Sequence, residues 1–393
     1  MDNKPGRIHL LVVVLAITSL VFGQRAVSPA LADIAKAFPE KSTQAIQFIM
    51  TVPSLLIMVS TLICGQLSRK LGKKTLVIIG MILFGMGGIS PALFGNLTFI
   101  FIMMGILGAG IGFLVPLSQS LLADYFEGRD REVFMGYRSS TASIFGMVFS
   151  LLGGSLCAIH WRFTFYTYLI VVPMLLLVLA KMPEPESQQT AKKGAKAAVL
   201  TGRMWFYVAM YFLYNVAGIA LATNAAFVMT ASKIGNARTI GIIMTISSVG
   251  AIAAGFMLGL VTKVFKGFTL VFALGFLSLG FIMLNYVNTA HTFVLAFALF
   301  GFGFGTFNPT MVLKIIASVP KPSTTLALSI LTCALGIGQF ISPIFFSFVN
   351  GMLGLQGPRA SWVVAAACFT AAFVVSLLKT ALLPQKAEAA VAQ

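Results

Sequence analysis

The sequence predicts an all-α membrane protein with twelve transmembrane helices in two homologous six-helix bundles. Three observations lead to this fold class. Hydrophobic residues make up 58% of the 393 residues and charged residues only 9%, whereas soluble domains carry about 25% charged residues. Twelve apolar runs are long enough to cross a bilayer, which requires about 20 residues per helix. In addition, two separate stretches of the first half recur in the second half at nearly the same spacing.

The repeat is visible in two places. Gly65–Leu76 matches Gly259–Leu270, 194 positions later, in its glycine, its hydroxyl residue, a basic residue and its Thr-Leu ending. Three glycines and a proline between 108 and 116 return 193 positions later, between 301 and 309. Two matches at nearly one offset indicate an internal duplication. Many secondary transporters are duplicated, very hydrophobic chains with a substrate site between the two halves.

Each bundle takes its helices in chain order. In the first half we predict spans over 8–30, 43–64, 75–96, 97–123, 135–158 and 163–181. In the second half we predict spans over 204–229, 239–262, 268–287, 292–316, 324–350 and 360–382. The stretch between the halves is the longest polar one in the chain, which is typical of a flexible linker. The expected domains are therefore 1–181 and 203–393, joined by a cytoplasmic linker over 182–202.

The placement of the basic residues predicts the orientation in the membrane. With twelve spans, 20 of the 27 Lys and Arg residues fall on the side that carries both termini and the linker. Cytoplasmic loops are enriched in Lys and Arg, so we expect both termini in the cytoplasm and the protein in the cytoplasmic, or inner, membrane. The same placement explains the formal charge of +17 without a nucleic-acid partner.

The sequence has no pattern that indicates an enzyme or a metal site. The four cysteines lie inside apolar runs without metal-ligand spacing, and the three histidines lie near predicted helix ends. The sequence also has no phosphate-binding G-x-x-x-x-G-K-[ST] loop, so ATP is not expected to drive the protein directly. We expect no cofactor, metal or catalytic residue. The expected partners are a small-molecule substrate and the lipid bilayer, with protons as a candidate coupling ion, and we expect a monomer.

The loop between the second and third spans resembles the loop motif of the major facilitator superfamily, G-x-L-a-D-r-x-G-r-k. The positions that fit this motif are Gly65, Leu67, Lys70, Gly72, Lys73 and Lys74. The usual aspartate is replaced by Arg69, and by Lys263 at the equivalent place in the second half. In the family this aspartate contributes to a charge network at the cytoplasmic gate, so the resemblance implies that the network is rewired or missing here. The predicted gating residues are Gly65, Arg69, Gly72, Lys73, Gly259 and Lys263.

The fourth and fifth spans are also similar to members of this superfamily. The glycine-rich fourth span resembles its R-x-x-q-G-x-g pattern, although the arginine position holds Met104, which argues against a carried-over proton mechanism. Gly153-Gly154 and Trp161-Arg162 fit the G-P-x-x-G-G and W-R-x-x-F motifs of export-type members, with Phe149-Ser150 in place of the Gly-Pro pair. The resemblance implies the major facilitator fold for the whole chain, and the resemblance to the drug:proton antiporter branch is partial.

Polar residues inside the spans are the candidate substrate-binding residues, and those on the first, fourth, seventh and tenth spans, which line the cavity in this superfamily, rank highest. None of the ten Asp and Glu residues lies near a helix midpoint, which disfavours a buried carboxylate that alternates between a proton and a cationic drug. Arg25 on the first span either binds a carboxylate or phosphate through its planar fork or extends to the outer headgroups. The predicted set is Gln24, Arg25, Gln119, Asn224, Asn308 and Gln339.

Two functions fit these features, and both are secondary active transport by alternating access. The first is export of drugs or amphipathic metabolites, which the short loops and the partial antiporter motifs favour. The second is ion-coupled transport of a small organic anion through Arg25, which the basic bias and the lack of buried carboxylates favour. A receptor without transport activity fits less well, because duplication with glycine-rich central helices suits moving bundles.

Overall fold

The computed structural model describes residues 7–68, 71–126, 128–183, 201–286, 288–320 and 324–382, and in them the chain is helical with short connecting turns. The chain divides into two compact units. Unit 1 comprises Met1–Ala191 and Asn236–Gly241, and unit 2 comprises Lys192–Gly235 and Ile242–Gln393. Arg69 and most of the predicted linker lie outside the described residues.

Seven α-helices form the first half of the chain in the described residues. They are α1 (Arg7–Thr18), α2 (Leu31–Ala37), α3 (Thr43–Leu67), α4 (Lys73–Ile89), α5 (Leu97–Tyr125), α6 (Gly128–Cys157) and α7 (Val171–Lys181). Side chains cap two of the helix starts. Ser42 Oγ accepts the Ala45 N–H at 3.2 Å before α3, and Asn96 Oδ1 accepts the Thr98 N–H at 2.9 Å before α5. These bonds satisfy N–H groups that a helix start leaves without partners.

The first predicted span, 8–30, is a broken helix. α1 ends at Thr18, and the segment Gly23–Ala37, which contains two short 3₁₀ turns and α2, is bent by 49° from it. The hydroxyls of Thr18 and Ser19 donate to backbone carbonyls of the preceding turn at 2.8 and 2.7 Å, and such bonds compete with the helical ladder. Pro29 has no N–H to continue an α-helix.

The sixth predicted span, 163–181, also begins differently from a regular α-helix. A 3₁₀ helix over Trp161–Ile170 precedes α7. Pro173, near the start of α7, lacks the N–H that a continuous α-helix would bond to a carbonyl of the preceding turn. Beyond the proline the chain continues as α-helix to Lys181.

Six α-helices form the second half of the chain in the described residues. They are α8 (Gly202–Ala231), α9 (Ala237–Phe265), α10 (Thr269–Tyr286), α11 (Ala290–Ile316), α12 (Thr324–Met352) and α13 (Ala360–Leu382). A 3₁₀ turn over Lys266–Phe268 separates α9 from α10, and Lys266 has a φ of 45°. This left-handed backbone conformation ends the regular helix.

Ten helical stretches of the described chain are long and apolar enough to cross a membrane. One of them, Ala237–Tyr286, has 50 residues and contains both α9 and α10. As a single helix it would be about 75 Å long, more than twice the roughly 30 Å of the hydrocarbon core, so we count two spans there. With the bent pair at the start of the chain counted as one span, helical segments occupy all twelve predicted positions. The predicted all-helical membrane fold is confirmed.

The predicted duplication is visible in the packing of α5 and α11. Gly110 of α5 lies against α4, where an added Cβ would be 2.5 Å from the backbone nitrogen of Phe84. Gly303 of α11 lies against α10, where an added Cβ would be 2.9 Å from the backbone nitrogen of Leu277. Gly110 and Gly303 are 193 positions apart, and so are Phe84 and Leu277. The same backbone contact is therefore made twice.

Other glycines of these two helices face the opposite neighbours. A Cβ at Gly108 would collide with the backbone of Pro53 in α3, and a Cβ at Gly301 would collide with the backbone of Ser247 in α9. Pro53 and Ser247 are 194 positions apart. Thus α5 and α11 are each held between two neighbours by close backbone contacts, which is the packing that small residues permit in membrane helices.

Candidate functional site

Three amides and one tyrosine join three helices of unit 2. Tyr211 Oη of α8 donates to Asn308 Oδ1 of α11 at 2.8 Å. One turn further along α8, Asn215 Nδ2 donates to the carbonyl of Tyr211 at 2.8 Å, and Asn215 Oδ1 accepts from Gln339 Nε2 of α12 at 3.4 Å. Asn308 and Gln339 are half-buried, whereas Tyr211 and Asn215 are buried. We call these four residues the amide cluster. It contains two of the predicted substrate-binding residues, Asn308 and Gln339.

Stacked aromatic rings lie beside the amide cluster. The rings of Tyr214 and Phe307 are 4.2 Å apart at an angle of 25°, and the ring of Phe307 is nearly parallel to that of Tyr211 at 6.3 Å. The edge of Phe369 meets Tyr214 at 5.9 Å. Tyr214 is 4% exposed and Phe307 is fully buried. The rings form an apolar backing for the half-buried amides, so uncharged hydrogen-bonding groups lie next to flat aromatic surface.

The sequence of α8 explains this arrangement. Tyr214 and Asn215 lie three and four positions after Tyr211, so both lie on the same side of the helix as Tyr211. Tyr211 and Tyr214 were not predicted, because a tyrosine in an apolar helix has the same sequence pattern as a packing residue. The sequence signal that could have identified them is their place beside an intramembrane asparagine. Tyr211 lies one turn before Asn215, and Tyr214 is adjacent to it.

Asn224, a third predicted residue of this half, does not belong to the amide cluster. It is buried, and its Nδ2 donates to the carbonyl of Ala220 at 3.1 Å and to Thr223 Oγ1 at 3.2 Å, both on its own helix. Nine residues separate it from Asn215 along α8, which corresponds to roughly 13 Å. Its hydrogen bonds therefore stabilise α8 locally.

The broken first span positions Gln24 and Arg25 in unit 1. The guanidinium carbon of Arg25 lies 4.3 Å from the centroid of the Phe22 ring. A Cβ at Gly146 of α6 would be 3.1 Å from Arg25 Nη1, so the glycine provides the space for the guanidinium against α6. Arg25 is half-buried. The Oε1 atom of Gln24 is buried and has no hydrogen-bond partner among the described residues.

Gln119, the remaining predicted residue of unit 1, is exposed near the end of α5. Its neighbour Ser118 makes the specific contact at this level, since Arg138 Nε of α6 donates to Ser118 Oγ at 3.1 Å. Arg138 is half-buried. This bond links α5 to α6, and Gln119 takes no part in it.

Lys73, which belongs to the loop motif, forms an ion pair with Asp124, which lies outside that motif. Lys73 Nζ lies 2.5 Å from Asp124 Oδ2, and the two side chains are 26% and 21% exposed. Lys73 begins α4 and Asp124 lies near the end of α5. A positive charge is unfavourable at the start of a helix, and a negative charge is unfavourable at its end. Here each charge also lies beside the opposite end of the neighbouring helix, where it is favourable. The pair thus ties the two helix ends together without the aspartate that Arg69 replaces.

Four other predicted gating residues lie among the described residues. Gly65 and Gly259 lie inside α3 and α9, and an added Cβ would meet no atom within 4 Å at either position. Neither glycine is therefore needed for a close contact with a neighbouring helix in this structure. Gly72 precedes α4 as its N-cap, and Lys263 is exposed in the last turn of α9.

A family model and several known proteins are similar in sequence to this chain. A family model described as Major Facilitator Superfamily matches residues 13–233 and 210–392. The Multidrug transporter protein MdtP of Bacillus subtilis (strain 168) is 24% identical over 166 residues, which are 42% of this chain and 28% of that protein. The Multidrug resistance protein 1 of the same organism is 26% identical over 38% of this chain and 39% of its own length. The MFS-type efflux pump MMF1 of Pseudozyma antarctica (strain T-34) is 30% identical over 39% of this chain and 28% of its own length. These matches span less than half of each relative.

Solved structures match over nearly the full length. A crystal structure of a mutant of the nucleoside transporter NupG superposes with a TM-score of 0.80 at 14% identity, covering 94% of this chain and 99% of that chain. A bacterial homologue of the human lysosomal transporter Spinster, in an inward-facing and unoccupied conformation, gives a TM-score of 0.72 at 14% identity over 97% and 95% of the chains. At this identity the likeness shows the fold alone. Because the family model spans almost the whole chain, the chain belongs to the Major Facilitator Superfamily.

Proposed function

We propose that this transporter exports drugs or amphipathic metabolites, and that the amide cluster forms part of its substrate site. The observation that carries the proposal is the combination of uncharged amides with stacked rings in unit 2. The sequence contains no Asp or Glu from 187 to 387, so no carboxylate of this stretch can select an organic cation. The amide cluster and the stacked rings beside it therefore suit flat molecules with few or no charges.

The chemistry of the group supports substrates of varied structure. Aromatic stacking contributes roughly 0.5–1.5 kcal/mol per pair beyond the burial of area, and a hydrogen bond contributes roughly 0.5–1.5 kcal/mol. Side-chain amides both donate and accept, so the half-buried Asn308 and Gln339 accommodate different polar groups. This agrees with the names of two relatives, a multidrug transporter and a multidrug resistance protein.

The acidic residues limit where a proton could be carried. Because 187–387 has none, a coupling carboxylate would belong to unit 1 or to the C-terminal tail. Asp33 in α2 is the first candidate, since it is half-buried and its two oxygens accept hydrogen bonds from Lys36 at 2.7 Å and from Cys157 Sγ at 3.6 Å. Proton antiport through this group is part of the proposal.

A second candidate function is ion-coupled transport of a small organic anion. One specific feature favours it, which is the half-buried guanidinium of Arg25 between Phe22 and Gly146. A guanidinium held in one place is suited to bidentate binding of a carboxylate. In this function Arg25, and not the amide cluster, provides the main contact with the substrate.

We further propose that the protein is a monomer in the cytoplasmic membrane, with both termini and the linker over 182–202 in the cytoplasm. The placement of 20 of the 27 basic residues on that side supports this orientation.

Transport assays in proteoliposomes distinguish the two functions. The purified full chain is reconstituted and offered a neutral aromatic dye, a cationic aromatic dye and an aromatic carboxylate, each with and without a pH gradient. Export through the amide cluster predicts transport of the neutral dye, stimulated by the gradient. Transport of the carboxylate alone, lost in Arg25→Ala, would instead establish the anion function.

A further inference from the structure

Tyr211 holds the side-chain amide of Asn308 in one orientation. The tyrosine hydroxyl donates to Asn308 Oδ1 at 2.8 Å, and its ring is buried and nearly parallel to that of Phe307. Leaving a buried hydroxyl without its acceptor is costly, so this bond opposes a flip of the amide. The oxygen of Asn308 is therefore directed to Tyr211, and the nitrogen is directed away from it.

The nitrogen of the Asn308 amide is available to a ligand. It carries two N–H donors, and within the described chain neither donor has a hydrogen-bond partner. Asn308 is half-buried, so it is only partly enclosed. Asn215 differs, because its Nδ2 donates to the carbonyl of Tyr211 and its Oδ1 accepts from Gln339. The donors of Asn308 can thus bind a substrate without displacing any of these hydrogen bonds.

An aromatic ring lies one turn before Asn308 on α11. It belongs to Phe304, which is also half-buried. Residues four positions apart share a helix face and are separated by about 6 Å along the axis. The ring of Phe304 lies 6.0 Å from that of Tyr214 at an angle of 32°, so it continues the stacked rings beside the amide cluster. This face of α11 therefore presents a ring and a pair of N–H donors at a spacing that one flat molecule can span.

We propose that the amide cluster selects uncharged aromatic substrates that carry a hydrogen-bond acceptor, such as the oxygen of a ketone, a quinone or a lactone. The ring system of the substrate stacks on Phe304, and its acceptor receives a hydrogen bond from Asn308 Nδ2. The sequence has no Asp or Glu from 187 to 387, so no carboxylate of this stretch competes for these donors. The inference rests on the proposed function, because it takes the amide cluster as the substrate site, and it adds the polarity of the group that the site recognises.

The selectivity follows from the cost of an unpaired donor. A substrate that displaces water from the half-buried amide also removes the hydrogen bonds that water makes to its N–H groups. A substrate with an acceptor in the right place restores one of these bonds, whereas an analogue of the same shape without the acceptor does not. Tyr211 is a positioning residue in this account, because it determines which end of the Asn308 amide meets the substrate.

Fluorenone and fluorene are a matched pair of probes for this inference. Both are flat, uncharged three-ring compounds, and only fluorenone has a carbonyl group. The measurement is the Kd of the purified full chain for each compound, expressed as the ratio of the fluorene Kd to the fluorenone Kd. Comparing this ratio between variants cancels the partition of the two compounds into detergent.

Two substitutions remove the donors of Asn308 in different ways. Asn308→Asp keeps an oxygen for Tyr211 and, at about pH 8, replaces the nitrogen by a second carboxylate oxygen, whereas Asn308→Leu has a similar shape and no donor. Each should lower the ratio roughly two- to tenfold, the range expected for one hydrogen bond. Tyr211→Phe should also lower it, because the amide is no longer held in one orientation. Gln66→Glu makes the same amide-to-acid change at an exposed position in the last turn of α3, and it should leave the ratio unchanged.

Three results would overturn the inference. One is an unchanged ratio in Tyr211→Phe or in either folded Asn308 variant while both compounds still bind. Another is an equal fall of the ratio in Gln66→Glu, which would assign the effect to charge alone. The third is that wild type binds neither compound. If it then still binds the neutral aromatic dye of the transport assay, the inference about the acceptor fails alone, and if it binds no aromatic compound, the proposed function fails as well.

Discussion

Replacing Gly110 by alanine should destabilise unit 1, whereas the same replacement at Gly105, five residues earlier in α5, should not. An added Cβ at Gly110 would lie 2.5 Å from the backbone nitrogen of Phe84, while an added Cβ at Gly105 would lie 3.7 Å from its nearest neighbour, a methyl group of Val52. Ordinary contacts of this kind begin at 3.4 Å. Because the Gly110 contact is with backbone, no side chain can rotate away.

The distances give the size of the effect. For Gly110→Ala, α4 and α5 must separate by about 0.9 Å, and overpacking of this kind costs roughly 1–3 kcal/mol. For Gly105→Ala no movement is needed, and alanine gains roughly 0.5–1 kcal/mol over glycine in a helix. Gly303→Ala, at 2.9 Å from the nitrogen of Leu277, requires a smaller separation and should lie between the two.

The assay is the apparent Tm of the purified variants in one detergent. For a unit of this size, 1 kcal/mol corresponds to about 2–4 °C, so Gly110→Ala should melt several degrees below wild type and Gly105→Ala at or above it. Equal melting of these two variants would refute the packing argument. The larger replacements Gly110→Leu and Gly303→Leu should abolish transport while the protein still inserts, and normal transport by both would also contradict it.

Three further predictions concern charge and topology. A double-mutant cycle of Lys73→Ala and Asp124→Ala, read from the apparent Tm, should give a coupling of about 1 kcal/mol, since the pair is half-buried and at 2.5 Å; strictly additive losses would show that the contact contributes nothing. If an anionic substrate binds Arg25, Arg25→Lys should weaken its transport and Arg25→Ala should abolish it at equal surface expression, because lysine lacks the planar fork; wild-type activity in the alanine variant would exclude the anion function. Ser187→Cys should resist an impermeant thiol reagent in intact cells, and efficient labelling from outside would reverse the proposed topology.

The fold could be predicted because a bilayer imposes strong rules on the sequence. A span needs about 20 apolar residues, and close helix contacts need small ones, so hydropathy and the repeated glycines were sufficient. The break in the first span was not predicted. Its residues remain apolar although the backbone leaves the α-helix after Thr18, and hydropathy does not report backbone dihedrals. Gly23 and Pro29 mark the break, but neither alone distinguishes a break from a tolerated kink.

The candidate site was predicted in part. Asn308 and Gln339 could be identified because an amide inside a span is costly without a partner. Tyr211 could not, since the partner of its hydroxyl lies 97 positions away in the sequence. Asn224 shows the opposite case, because its amide nitrogen donates to a carbonyl of its own helix. Gly65 recurs as Gly259, yet both positions are open, so recurrence alone does not identify a packing contact.

The central claim, that the amide cluster binds the substrate, is tested most directly by removing one hydroxyl group. Tyr211→Phe deletes the donor to Asn308 Oδ1, and Tyr286→Phe deletes the same group from an 82% exposed position at the end of α10. The measurement is the Kd of the purified full chain for a transported neutral aromatic dye. We predict that Tyr211→Phe raises this Kd roughly two- to tenfold, since a lost hydrogen bond is worth roughly 0.5–1.5 kcal/mol, and that Tyr286→Phe leaves it unchanged. An unchanged Kd in Tyr211→Phe, or an equal rise in both variants, would contradict the claim.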